Sequence, residues 1–255
     1  MPMLSLQPTG EIMRSAAVSV LIAAASLASS SGIDAQIVFN SSSGPSRWQL
    51  GGDFVISQPK GEFANNIGNG YGLDFTGMFR LDPKGYINIR GDLGGVQYGR
   101  EHQNIPLFGS GRITLDLETT NQIGFAAIGT QLQIPDGMFR PYANAAIGYT
   151  DFTTSSSLSG SDDSFEPIHT TNAHDGSHAY IFGGGVMIPF GNRFSSGALN
   201  LGARYFYGGR ATYLKKGDIV DNPDGTVTLF PRNSKTDLVL WQLGVSFVLP
   251  RPTRQ

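Results

Sequence analysis

The chain has no cysteine. That excludes disulfide staples, thiolate metal sites and cysteine nucleophiles. It is also short of charge: Asp, Glu, Lys and Arg make up 15% of the residues, against roughly 25% in soluble globular chains. It has no basic excess, since the net charge is −2, so nucleic acid is not an expected partner. Past the N-terminal segment, no apolar run reaches the ~18 residues of a membrane helix. What the chain does have is glycine, 34 of 255 residues. Abundant glycine with sparse charge suits a β-rich protein whose backbones approach closely.

The N-terminus reads as an export signal. Ala16 to Ala28 form an apolar run that is too short to span a bilayer, with Arg14 before it and the small residues "SSSGIDAQ" after it. A basic, apolar, small-residue order is that of a secretory signal peptide. Cleavage after Ser30 or Ala35 fits, and Met13 offers an alternative start. The expected division is a signal peptide over 1–35, a linker over 36–47, a barrel over 48–249 and a tail over 250–255.

The remainder alternates with the two-residue period of strands. Eight segments do so, near 48–57, 71–81, 86–95, 119–133, 141–152, 178–190, 198–208 and 241–250. Short connections carrying Pro, Gly, Asp and Asn (81–85, 134–140, 190–197) alternate with long ones (58–70, 96–118, 153–177, 209–236). That sorting predicts an all-β, eight-stranded, antiparallel up-and-down transmembrane β-barrel with short periplasmic turns and long extracellular loops.

One face of the strands carries Asp53, Asp74, Thr76, Arg80, Asn88, Arg90, Asp92, Gln122, Asn144, Arg204 and Gln242. The other carries bulky rings, among them Trp48, Phe54, Phe75, Phe125, Tyr149, Phe182, Tyr205, Trp241 and Phe247. An eight-stranded barrel has too narrow an interior for all those rings. The aromatic face is therefore expected to meet lipid, with girdles near each edge. On the fourth strand this puts Ile123, Phe125 and Ala127 outward. Asp53, Asp74, Arg90, Asp92 and Arg204 are then expected to form a luminal polar network that plugs the barrel.

The last strand carries Gln242-x-Gly244-x-x-Phe247-x-Leu249. This resembles the C-terminal recognition signal of bacterial outer-membrane β-barrels, with Leu249 where an aromatic is usual and the tail "PRPTRQ" following. Residues 48–249 resemble small eight-stranded outer-membrane proteins of the outer membrane protein A barrel type. The resemblance implies residence in the bacterial outer membrane among lipid and lipopolysaccharide. It also implies handling by periplasmic chaperones and the barrel-assembly machinery, which would read Gln242, Gly244, Phe247 and Leu249, and a monomeric product.

Chemistry-bearing residues are few. His169, His174 and His178 lie among Gly, Ser and Thr, which suggests an extracellular loop rather than a metal site. Some outer-membrane barrels are enzymes, including palmitoyl transferases, phospholipases, lipid A deacylases and surface proteases. Such activities need a Ser/His or Asp/His set at the rim, and Ser177 beside His178 is the best pair available. No catalytic, cofactor or metal residue is assigned. The loop "DIVDNPDGTVTLF" is expected to form a hairpin with Pro223 and Gly225 in its turn. The leading functional expectation is a structural or surface-interaction role, not that of a general porin. The rivals are a lipid-modifying enzyme, a narrow solute channel and a soluble lipocalin-like barrel.

Overall fold

The computed structural model describes residues 46–106, 114–160, 168–190, 197–222, 224 and 226–249. All lie in the compact unit Asn40–Gln255. The expected signal peptide, most of the expected linker, the residues after Leu249, and Pro223 and Gly225 fall outside the described residues.

Eight strands close into an antiparallel barrel. They are β1 (Trp48–Pro59), β2 (Gly70–Arg80), β3 (Ile87–Pro106), β4 (Thr114–Gln133), β5 (Arg140–Gly160), β6 (Ile168–Phe190), β7 (Gly197–Gly208) and β12 (Leu238–Val248). Each pairs with its neighbours in chain order, and β12 closes on β1 from Gln49↔Val248 to Pro59↔Leu238. Closure leaves no sheet edge unpaired within the ring. Between β7 and β12 the chain rises as two stacked hairpin segments. Strands β8 (Arg210–Tyr213) and β11 (Arg232–Lys235) pair first, and β9 (Ile219–Asp221) and β10 (Val227–Leu229) pair beyond them. One short helix, α1 (Gly61–Ala64), lies between β1 and β2. No described helix is long and apolar enough to cross a membrane.

The turn from β2 to β3 shows why the short connections form. Asp82 accepts hydrogen bonds from the N–H groups of Lys84, Gly85 and Ile87 at 3.1, 2.9 and 2.7 Å. Those donors, Ile87 foremost, hold its carboxyl below the usual range. Gly85 adopts φ 85°, a conformation open to glycine and costly for other residues.

The strands fall into two height classes. β1, β2, β7 and β12 have 11 or 12 residues, close to the ~9–11 that a tilted strand needs to cross hydrocarbon. β3, β4, β5 and β6 have 20 to 23. Much of what the sequence suggested as loops over 96–118 and 153–177 is therefore continuous β-ladder, a four-stranded wall rising from one side of the barrel. His169, His174 and His178 stand on β6, not in a loop. Gly, Asn and Asp are disfavoured in strands, but pairing with β5 from Leu158↔Ile168 downward overrides this.

Candidate functional site: the sealed lumen and the two rims

The exterior of the barrel is apolar. Trp48, Phe54, Tyr71, Phe75, Tyr149, Phe182, Trp241 and Phe247 are all exposed, as are Leu50, Leu93, Ile128 and Leu243 between them. Tyr180 pairs with Tyr207, and Phe182 with Tyr205, near one edge. Trp48 packs on Phe79, and Phe190 on Phe247, near the other. Phe125 departs from the expected pattern. It is 5% exposed, and Ile123 only 1%. Gln122 is exposed instead of luminal, while Ile128 and Leu132 face outward. The phase of β4 is the reverse of the one expected, because the upper lumen is itself apolar.

The lower lumen holds an ionic layer. Alternation on β1, β2, β3 and β7 turns Asp53, Asp74, Arg90, Asp92 and Arg204 inward, and all are buried. Arg204 reaches both Asp74 and Asp92, the latter with Nη1–Oδ2 at 2.8 Å. Arg90 donates to Asp92 from Nε at 2.9 Å and Nη2 at 2.8 Å. It also donates to Gln131 Oε1 at 2.8 Å and to Thr76 Oγ1 at 3.1 Å. Gln242 Nε2 donates to Asp74 at 2.7 Å. Asp53 stands at the margin, held by Asn200 Nδ2 at 2.7 Å, and Tyr142 donates to that same Asn200 at 2.8 Å. Asp74, Arg90, Asp92 and Arg204 thus form one cluster, and Asp53 stands beside it, held by the Asn200 amide. Buried charge persists only where paired and hydrogen-bonded; the ion pairs supply this for the cluster, while Asp74 Oδ1 and Arg204 Nε stay without a hydrogen-bond partner.

The upper lumen holds an apolar plug that the sequence reading missed. Phe63 of α1 is fully buried. It meets Phe152 of β5 and Tyr213 of β8 at ring-centroid distances of 5.7 and 5.1 Å. Phe125 and Phe206 stack edge-on at 5.5 Å below them. Val55, Val96, Ile123, Ile181 and Leu240 fill the remainder. The polar tip of Tyr213, its Oη, bonds Ser234 and Asn66 at 2.7 and 3.0 Å. Two loops therefore stopper the barrel: one inserts Phe63, the other Tyr213 and Leu214. Asp175 on β6 pins the second loop by accepting from Thr212 N–H at 2.6 Å, which holds its carboxyl below the usual range.

The proposed catalytic pair does not form. Ser177 is buried and His178 exposed, as consecutive strand residues must be when they point to opposite faces. Ser177 Oγ donates to the His178 backbone carbonyl at 3.2 Å, and the His178 ring packs on Tyr149 at 5.5 Å. His174 contacts Asp151 at 2.9 Å. It lies about 13 Å along the strand from His178, from four residues at ~3.3 Å, too far to share a metal. Among the described residues no group of three or more potential metal ligands occurs.

The residues of the resemblance at the C-terminus divide by face. Gln242 is luminal and bonds Asp74. Gly244 lies opposite Asp53, and a Cβ there would collide with Gly52 O and Asp53 Oδ1. Both therefore have reasons inside the barrel. Phe247 and Leu249 point outward, 44% and 37% exposed.

No family model matches the chain. No curated protein matches it either. Several solved structures resemble it. Neisserial surface protein A is 14% identical, with 81% of this chain and 100% of that chain covered and a TM-score of 0.40. Ail, the attachment invasion locus protein of Yersinia pestis, is 10% identical, with 78% and 96% covered and a TM-score of 0.40. A major outer membrane protein from Thermus thermophilus is 13% identical, with 79% and 99% covered and a TM-score of 0.41. At such identities and scores these likenesses say nothing about activity.

Proposed function

We propose that this chain is a bacterial outer-membrane β-barrel with a structural or surface-interaction role. The observation that carries the reading is inversion. Exposed rings and aliphatic chains cover the outside of the barrel, while two arginines and three aspartates are buried within it. Water would reverse that arrangement, and lipid favours it. The girdles of Tyr180 and Tyr207 on one side and Trp48 and Phe247 on the other suit two headgroup levels.

The lumen is closed to solutes by the ionic layer below and the apolar plug above, so the barrel is not a general porin. The functional surface is the wall made by the upper parts of β3 to β6, a rigid face of Ser, Thr, Asn and charged side chains above the membrane. Lipopolysaccharide surrounds its base, the barrel is monomeric, and chaperones and assembly machinery deliver it by way of its outward Phe247 and Leu249.

Gel migration that shifts on heating, together with dependence on detergent for solubility, is the expected behaviour. A protein soluble without detergent would contradict the reading. Planar bilayers holding folded protein should show no discrete conductance steps; steady large conductance would revive a channel.

A further inference from the structure

The short-turn mouth of the lumen carries two guanidinium groups that the ionic layer does not use. Along β2 the buried residues are Asp74, Thr76 and Met78, and Arg80 continues the series. Along β5, Arg140 sits one inward step below Tyr142. Both arginines are half-buried. Among the described residues neither has a carboxylate within 4.0 Å, unlike Arg90, Arg100, Arg204, Arg210 and Arg232. The carboxylate nearest Arg80 in sequence, Asp82, is occupied by three backbone N–H groups, and the one nearest Arg140, Asp136, is exposed in the turn before it.

A Cβ built on Gly85 would lie 3.6 Å from Arg80 Nε and 3.8 Å from Pro135, and the bond from Ile134 N–H to Pro141 O at 3.0 Å sets Pro135 beside Arg140, so both arginines reach the turn between β4 and β5. Arg140 Nε is buried without a hydrogen-bond partner. Nearby, Gln133 accepts from Gln131 through Oε1 at 3.0 Å, which leaves its Nε2 end to donate.

This is an unfavourable arrangement as it stands. Two neighbouring guanidinia repel in a partly desolvated place, and an unpaired buried donor costs free energy. One oxyanion between them would remove both penalties, because the guanidinium fork matches phosphate geometry.

We propose that Arg80, Arg140 and Gln133 form an oxyanion-binding site at the short-turn mouth of the barrel, taking a phosphate group that is either free or carried by an anionic phospholipid headgroup. The lipid source rests on the membrane reading above; the free-phosphate source does not. The site gives the otherwise closed lumen a chemical function at its inner end.

The test uses the full chain folded in maltoside micelles, with folding checked by heat-modifiable migration. Inorganic phosphate is titrated against chloride at matched ionic strength, following the Arg Nε–Hε resonances. A second titration adds short-chain phosphatidylglycerol, with the matching phosphatidylcholine as control. Saturable shifts of Arg80 and Arg140 with inorganic phosphate support a free ligand, and saturation with phosphatidylglycerol alone supports the headgroup.

Losing one charge-assisted contact should weaken binding about tenfold or more in Arg140→Gln. Arg80→Gln should do the same, and provides the test if the first variant does not fold. The exposed Arg47→Gln should bind as the parent does. If neither titration saturates, if phosphate acts no differently from chloride, or if folded Arg140→Gln and Arg80→Gln bind within twofold of the parent, the proposal is overturned. Failure of the parent to show heat-modifiable folding would count against the membrane reading instead.

Discussion

The two halves of the lumen are built on opposite chemistries. The lower half encloses Asp74, Arg90, Asp92 and Arg204 in one ionic layer. The upper half encloses Phe63, Phe125, Phe152, Phe206 and Tyr213. Both are walled by the same eight strands, so strand geometry does not account for the difference. What differs is the supply of side chains. Below, only inward strand residues are available, and charges must satisfy one another across the lumen. Above, the inward strand residues Phe125, Phe152 and Phe206 are themselves apolar, two loops fold back to add Phe63 and Tyr213, and burial of their surface contributes about 25 cal/mol per Å². Arg204 touches both worlds, with its guanidinium on the aspartates and its Cζ 5.7 Å from the Phe206 ring.

The largest expected effect comes from breaking the lower half. Arg204→Ala leaves Asp74 and Asp92 buried with one fewer partner. Removing one member of a buried ion pair costs about 3–5 kcal/mol. Urea unfolding in vesicles should show a loss of that size, whereas a loss below about 1 kcal/mol would mean that the layer is hydrated and loosely held. In the upper half, Phe63→Ala removes the central ring of the plug. Core Phe→Ala losses run about 3–5 kcal/mol, and this one should fall at the low end because α1 is a single short turn that can relax. It should also admit small ions to the upper lumen, seen as faster quenching of a probe placed there.

Gly244→Ala tests how closely β12 and β1 must approach beside Asp53. Overpacking of this kind costs about 1–3 kcal/mol, read from the same unfolding curves. The smallest effect concerns Asp175. Its depressed pKa means that its contribution is present above the unfolded value of about 3.9 and is lost as pH falls through the lower folded value. The protection of the Thr212 amide relative to its intrinsic exchange rate should therefore fall in acid, and in Asp175→Asn it should already be low at neutral pH while the plug below stays protected.

The same comparison explains what could be read from the sequence. Alternation on β3, β5, β7 and β12 assigned the correct faces, because the lower lumen is polar and its outside greasy. Asn88, Arg90 and Asp92 against Ile87, Ile89 and Leu93 leave no ambiguity. Alternation failed on β4. There Ile123 and Phe125 enter the plug while Ala126, Ile128 and Leu132 meet the exterior, so both faces are apolar and the pattern has no contrast. The plug itself depends on Phe63 and Tyr213, which lie outside the regular alternating segments, and nothing local marks them as luminal. The height of β5 and β6 was hidden for a different reason. "TTSSSLSG" and "HTTNAHDG" become strands by pairing with each other, a long-range property that local composition does not carry. The hairpin of β9 and β10 was legible from Ile219, Val220 and the segment to Leu229.

The claim on which all this depends is that lipid solvates the outer face. Leu243 lies mid-way along β12 and is 51% exposed. The decisive measurement is the folding free energy of Leu243→Arg in phospholipid vesicles. A lipid-facing position near mid-depth predicts a loss of about 2–4 kcal/mol. A change within about 0.5 kcal/mol, as expected of a residue that faces water, would contradict the account.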